Sequence, residues 1–161
     1  GVIIQLLDTH RLNTTSYVIR QVQTAGAWVS RDGLQAQTAS GIGTTGAGIP
    51  FTLTWNFWDT GATPPVNETH QVTYSLVNMP SGSLQQLRRH EVVTDAHGVV
   101  TSDTTITVAQ YVDAGTTTCR WQPDAREQSG YSRTTFVFAV GAVVGGQDES
   151  RAYQIRPRPF A

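Results

Sequence analysis

Histidine is the residue in this sequence with the widest catalytic use, and four are present, at His10, His70, His90 and His97. Nucleophilic catalysis needs such a base beside a serine, cysteine or threonine, together with a third group that orients the base. None of the four histidines lies in a G-x-S-x-G turn or another nucleophile motif. The sequence therefore predicts no catalytic residue and favours a protein that is not an enzyme.

The acidic residues are thinly spread and form no recognisable metal motif. Asp124 and Glu127 fall in one expected loop, and Asp148 and Glu149 fall in another, but neither loop matches the D-x-D-x-D-G pattern of a calcium site. No H-E-x-x-H pattern occurs, and the single Cys119 excludes both an intramolecular disulfide and a cysteine-based zinc site. We predict solvated loop carboxylates, no metal and no cofactor.

Three aromatic residues at 55–58 raise the possibility of a ligand-binding platform. Alternation along 51–57 places Trp55 and Phe57 on the same face as Phe51 and Leu53, which is the expected core face. Trp58 points the other way. Core packing is therefore predicted for Trp55 and Phe57, and Trp58 is the aromatic residue predicted to be exposed and to bind a partner.

Composition narrows the class of protein further. The 161 residues suit one domain, 14% of them are charged, and the net charge is −1. Such a balance gives no electrostatic reason to bind nucleic acid. No run of residues is long and apolar enough to span a membrane in the sequence as given. The low charge and the many glycine and threonine residues are typical of secreted β-proteins.

The first 26 residues predict a helix. They contain no proline, and their only glycines stand at the two ends. Gly26 occupies the position of a glycine that would terminate the helix. The chain also opens on an apolar segment without an N-terminal capping residue, so we expect that more helix originally preceded it. Apolar residues recur at helical spacing at Ile3, Leu7, Val18, Val22 and Ala25.

The remainder, 27–161, reads as strands separated by turns. Alternating apolar residues and turn residues predict seven or eight antiparallel strands, and the apolar stretch 134–144 predicts a central strand buried on both faces. The predicted class is α+β, a single domain 1–161 in which the helix of 1–26 packs on an antiparallel sheet. The expected strands are 51–57, 72–76, 84–94, 106–112, 116–121, 134–144 and 152–155.

Several stretches, taken in order, resemble a known family. LNTTSYVIRQVQTAG at 12–26 resembles the second half of the N-terminal helix of bacterial type IV pilin-like proteins. The strand pair VTYSL at 72–76 and LQQLRR at 84–89 is similar to phrases of their minor pilins and of the J-type minor pseudopilins of type II secretion. TITVAQYV at 105–112 and the ending AYQIRPR at 152–158 are similar to further phrases of the same proteins. The prepilin-peptidase cleavage site of the family is not present.

The resemblance implies a pilin-like fold and a structural role. Such a subunit is held in the membrane by an N-terminal segment, here expected to be missing, and then packs into or caps a pilus or pseudopilus at the cell surface or in the periplasm. Its partners are other pilin or pseudopilin subunits. Nothing in a lone head domain has to cover the apolar residues at the start of the helix, so we expect them to contact those partners. The predicted partner-binding residues are Val2, Ile3, Leu6, Leu7 and Trp58.

Two other functions fit parts of the sequence. A β-sandwich module, such as a surface adhesin or a phage or cell-surface binding domain, accounts for the strands and threonine-rich loops but not for the N-terminal helical spacing. A secreted hydrolase acting on glycans would need two close carboxylates in a cleft, and the sequence identifies none. A helix at the N-terminus would favour the pilus subunit, and a strand there would favour the sandwich.

Overall fold

The computed structural model describes residues 2–158, and it describes side chains from residue 13 onward. A long helix is followed by eight strands and one short 3-10 turn at Ala114–Thr116. At about 1.5 Å per residue the helix is roughly 50 Å long. The elements are α1 (Val2–Gln35), β1 (Thr38–Ser40), β2 (Phe51–Asp59), β3 (Val66–Asn78), β4 (Gln85–Asp95), β5 (Val100–Val112), β6 (Thr118–Pro123), β7 (Tyr131–Val144) and β8 (Gln147–Ile155).

The eight strands form one antiparallel sheet in the order β1-β2-β3-β4-β5-β7-β6, with β8 also paired to β7. Short turns connect most neighbours in this order, as expected where consecutive strands pair. The junction between β5 and β7 is narrow, because Val112 and Ala142 are the one pair of residues that joins these strands. A meander of β1–β5 and a β6–β8 group therefore meet at a single point of the sheet.

The helix covers one face of this junction, where it contacts β5, β7 and β8. Phe51, Phe136 and Phe138 come from two different strands and pack together beneath it, with ring centroids of Phe51 6.4 Å and 6.2 Å from the other two. Burial of these apolar groups is the main force that holds the helix on the sheet. The helix stripe consists of Val18, Val22, Ala25 and Val29, all fully or almost fully buried.

The helix continues past Gly26, where the sequence predicted its end, to Gln35. A methyl group built at Gly26 would lie 2.0 Å from the ring of Tyr153, whose hydroxyl donates to the carbonyl oxygen of Val22 at 3.1 Å. A methyl group built at Gly33, two turns later, would lie 2.5 Å from Cγ2 of Ile155. These glycines therefore serve the close approach of β8 to the helix and do not terminate it.

The predicted α+β class with a pilin-like arrangement is wrong. Strands account for 54% of the residues whose side chains are described and helix for 18%, so the protein is mostly β, with one helix against an eight-stranded antiparallel sheet. The helical pattern itself was read correctly as a helix. The class was misjudged because the strands run well beyond their apolar cores, as β5 does over Val100–Thr107, where exposed threonines continue the strand without a buried face.

Individual strands agree with the sequence pattern where one face is buried. The expected strand at 51–57 corresponds to β2, and the apolar stretch 134–144 corresponds to β7, in which Phe136, Phe138 and Val140 are fully buried. Two predicted loops contain strand residues. Thr38–Ser40 forms β1 inside the first long loop, and Asp148 and Glu149 lie on β8.

Candidate functional site

A buried ion pair connects the helix to the middle of the sheet. Asp32 on the helix is 1% exposed, and Arg89 on β4 is 7% exposed. The guanidinium of Arg89 donates from Nε to Asp32 Oδ2 at 2.7 Å and from Nη2 to Oδ1 at 3.0 Å, a two-pronged geometry that is among the strongest that proteins use. The hydroxyl of Tyr74 on β3 also donates to Asp32 Oδ2. Both carboxylate oxygens are therefore satisfied.

The same network extends outward along β3 and β4. Arg89 Nη2 lies 3.3 Å from Glu91 Oε2, and His70 Nδ1 lies 3.1 Å from the same oxygen. Trp55 stacks on the ring of His70 with 5.3 Å between centroids and 3° between planes. We call Asp32, Tyr74, Arg89, Glu91 and His70 the Asp32 network.

The indole of Trp28 closes the network on the helix side. It lies 4.8 Å from the guanidinium carbon of Arg89 and 5.1 Å from that of Arg31. Both distances are within the range of a cation–π interaction, which is stronger for a desolvated cation such as Arg89. Arg89 is thus held by a carboxylate pair on one side and by an aromatic face on the other.

Burial and hydrogen bonding shift the acid–base properties of these groups away from catalysis. Burial raises the pKa of Tyr74, and the neighbouring Asp32 carboxylate raises it further. Burial alone would lower the pKa of Arg89, but the bonds to Asp32 outweigh it and leave that pKa raised. Neither group can exchange a proton near neutral pH, so the network is suited to holding the helix on the sheet and not to acid–base chemistry.

Glu91 gives the network a dependence on pH. Burial raises its pKa, but hydrogen bonds from His70 and Arg89 outweigh burial, and the pKa is lowered. Because the pKa of Glu91 is lowered in the folded state, its ionised carboxylate stabilises the protein at pH values above the ordinary pKa of a glutamate. This stabilisation is lost as the pH falls through the lowered pKa. We expect Glu91→Gln to cost roughly 1 kcal/mol at neutral pH.

The test compares urea unfolding of the wild type and Glu91→Gln across a pH series. The difference between the two free energies of unfolding is expected to narrow as pH falls from the ordinary pKa of a glutamate through the lowered pKa of Glu91, because the unfolded wild type binds a proton there before the folded protein does. A difference that stays constant at every pH would contradict this role of Glu91.

The exposed aromatic residues lie at the far end of β2, and the predicted burial was wrong for one of the three aromatics. Trp55 is buried and Trp58 is 63% exposed, both as expected, whereas Phe57 is 45% exposed. The alternation argument assigned Phe57 to the core because it shares a face with Trp55. The buried face of β2 ends at Trp55, and the four residues after it are all exposed.

These aromatics border an open groove of about 770 Å³. Three amide side chains and one arginine supply its polar atoms, and Gln37 Oε1 accepts a hydrogen bond from the main-chain N–H of Asn56 at 3.0 Å. An exposed apolar groove with a few polar groups is a common form of binding surface. The groove is lined by Gln35, Gln37, Trp55, Asn56, Phe57, Trp58 and Arg158.

The remaining sequence candidates occupy ordinary structural positions. His90 Nε2 lies 2.6 Å from Asp103 Oδ1, and His97 is exposed in the turn between β4 and β5. Asp124 accepts from the main-chain N–H of Arg126, which lowers the pKa of Asp124. Within the described residues, no three histidine, cysteine or carboxylate side chains gather as a metal site would require.

The buried Cys119 does not behave as a reactive thiol. It lies on β6 and is 0% exposed. Burial raises the pKa of its thiol well above the usual range, so the nucleophilic thiolate does not form near neutral pH.

Four of the predicted partner-binding residues lie on the helix but outside the described side chains. Val2, Ile3, Leu6 and Leu7 fall in the first turns of α1, and His10 follows them in the same part of the helix. The fifth, Trp58, is placed at the groove. Among the described residues, no helix combines the length and the hydropathy that a membrane span demands. The structure therefore separates the predicted partner residues into two regions.

Comparisons of the chain with protein-family models, with curated proteins and with solved structures gave no match. The function must therefore be argued from the helix, the Asp32 network and the exposed strand ends themselves.

Proposed function

We propose that this protein is a structural subunit of a type IV pilus or of the pseudopilus of type II secretion, and that it acts by protein–protein assembly. In this proposal it is anchored in the membrane before assembly and works at the cell surface or in the periplasm. The first turns of α1, with Val2, Ile3, Leu6 and Leu7, contact neighbouring pilin or pseudopilin subunits. The protein is not an enzyme and binds no nucleic acid in this role.

The observation that carries the proposal is the helix itself. A helix of 34 residues at the start of the chain is far longer than the mean of about 11–12 residues in globular proteins. In the part of the helix whose side chains are described, Tyr17 contacts Tyr111 of β5 with 6.0 Å between ring centroids, Val18 is buried, and the Asp32 network fixes the last turns. Such a helix supports a rod that is rigidly joined to a β-domain at one end and offers its other end to partners.

The alternative is an adhesin or another cell-surface binding module. The mostly β composition and the exposed Trp58 are compatible with it. A long N-terminal helix anchored by a buried ion pair has no role in such a module, because the strands of a sandwich cover one another. The helix therefore favours the filament subunit.

Cross-linking in the cells that make the protein tests the proposal. A photoreactive amino acid would replace Ile3 or Leu7 in the full-length product, and sheared surface filaments and membranes would be analysed separately. We expect covalent adducts with subunits of the pilus or pseudopilus, identified by mass spectrometry. As a matched control, the same photoreactive amino acid replaces Arg20 or Gln23, which are exposed polar residues of the same helix.

Two results would reject the proposal. One is recovery of the full-length product as a freely diffusing cytoplasmic protein. The other is recovery at the surface with no filament subunit attached to Ile3 or Leu7 beyond the level at the control positions. The second result would favour the adhesin.

A further inference from the structure

The outer strand edge of the β1–β5 meander is open along most of its length. Over Val100–Thr107, β5 pairs with β4 on one side, and in the described part of the chain no strand pairs with it on the other. Every residue of this segment is exposed, so neither face is covered either. An open edge presents a row of unpaired main-chain N–H and C=O groups, which is a template for another strand.

Part of this edge lacks the features by which natural proteins usually block such pairing. The segment contains no proline and no lysine, and its register with β4 shifts at Thr101 but is regular from Ser102 to Thr107. Its one charged residue is Asp103, whose carboxylate lies 2.6 Å from His90 on the neighbouring strand. Threonine and isoleucine, which favour strands, make up most of the rest. The regular stretch from Ser102 to Thr107 is therefore suited to pairing with another strand.

The partner that fits this edge is a second copy of the same edge. Two antiparallel copies of β5 related by a two-fold axis pair residue with residue, and directly opposite residues must lie on the same face of the sheet. A two-fold axis through a residue pairs positions that differ by an even number, which lie on the same face. An axis between two residues would pair positions on opposite faces and is therefore excluded. An axis at Asp103 would place two carboxylates face to face, which is unfavourable. An axis at Thr104 avoids this.

The Thr104 axis also gives complementary neighbours. Asp103 then faces Thr105 of the second copy, whose hydroxyl can donate to the carboxylate, and symmetry repeats this contact. Ser102 faces Ile106, and Thr104 faces Thr104 of the second copy. Threonine pairs and carboxylate–hydroxyl pairs across strands are stabilising. The packed body of each copy lies beyond Val108, where β5 becomes buried, so the paired segments meet away from the helix.

We propose that this chain forms a two-fold symmetric dimer in which the β5 edges pair antiparallel about Thr104 and join the two sheets into one. The contact is distinct from the helix surface of the proposed filament function and does not depend on it. It uses residues that are exposed on both faces in the single chain.

Cysteine cross-linking of the full chain tests both the pairing and its register. Thr104→Cys faces its own copy across the axis, and a short bifunctional thiol reagent is expected to yield a covalent dimer. Ser102→Cys alone and Ile106→Cys alone are expected to remain monomeric, whereas their mixture forms a covalent dimer. The wild type is the control for Cys119, which is buried and should not react. Equal cross-linking of all single variants, or none with Thr104→Cys, would overturn the proposal.

Sedimentation analysis over a range of concentrations gives an independent readout without cysteine. We expect a dimer fraction that rises with concentration in the wild type and a dimer affinity about tenfold or more weaker in Thr104→Lys, because two lysines then face each other. Gln128→Lys makes the same change of charge in an exposed loop and is expected to leave the affinity unchanged. Unchanged circular dichroism shows that each variant is folded. A wild type that is monomeric at every concentration would contradict the proposed dimer. It would favour pairing of the β5 edge with a strand of a different protein.

Discussion

Replacing Asp32 with alanine is expected to lower the free energy of unfolding by about 3–5 kcal/mol, because the substitution leaves the buried guanidinium of Arg89 without its main counter-charge. Arg89 is 7% exposed and keeps Glu91 and the face of Trp28 as partners, neither of which replaces the two hydrogen bonds to Asp32. The hydroxyl of Tyr74 loses its acceptor in the same step. Urea denaturation followed by tryptophan fluorescence measures the loss as a lower midpoint.

Two controls separate the buried charge from other effects of the substitution. The double variant Asp32→Ala with Arg89→Met removes both charges and is expected to lose less stability than Asp32→Ala alone, since apolar groups in place of a buried pair are often tolerated. Glu149→Ala breaks an exposed pair with Arg151, 3.3 Å apart, and is expected to cost at most about 1 kcal/mol. Equal losses for Asp32→Ala and Glu149→Ala would contradict the assignment.

Phe136→Ala is expected to lower the free energy of unfolding by about 3–5 kcal/mol. Its ring is fully buried and meets Phe51 of β2 and, at right angles and 6.1 Å between centroids, Trp121 of β6. A methyl group built at Gly33 would lie 3.2 Å from its Cζ atom, so the ring also packs under the helix. Its removal leaves a cavity where three elements meet.

The measurement is again the urea midpoint, with an exposed apolar residue in the turn between β4 and β5 as the reference. Val99→Ala removes part of a side chain that is 57% exposed and is expected to change stability by no more than about 0.5 kcal/mol. Because the ring of Phe136 on β7 packs against Phe51 of β2, it joins the β6–β8 group to the β1–β5 meander through the core, and we also expect Phe136→Ala to increase hydrogen exchange in both parts. Faster exchange confined to β6–β8 would mean that the contact between the two parts does not depend on this ring.

Sequence reasoning located the strands where one face is buried and failed where burial is absent. The alternation that identified β2 and β7 reflects the two faces of a strand packed on a core. Thr38–Ser40 and Val100–Thr107 carry no such signal, because they form strands by pairing with neighbours and not by burial. The sequence therefore underestimated the strand content, and the structure is mostly β instead of the predicted α+β class.

The Asp32 network was missed although the sequence held a signal for it. The buried positions Val18, Val22, Ala25 and Val29 alternate by four and three residues, and the same spacing continues to Asp32 and Ala36. A helix taken to end at Gly26 hid this continuation. The alternation of β4 likewise places Arg89 and Glu91 on one face, but no local pattern shows that this face meets the helix.

What the sequence alone determined was the local order: a helix at the start, the positions of the half-buried strands and the absence of a recognisable catalytic motif. These follow from the periods of helix and strand and from turn residues, which act over a few positions. Tertiary structure decided the length of the helix, the exposure of Phe57, the pairing of Asp32 with Arg89 and the open edge of β5. Each of these depends on which element, distant in the sequence, packs against the residue. Local periodicity does not encode contacts between residues that are far apart in the chain.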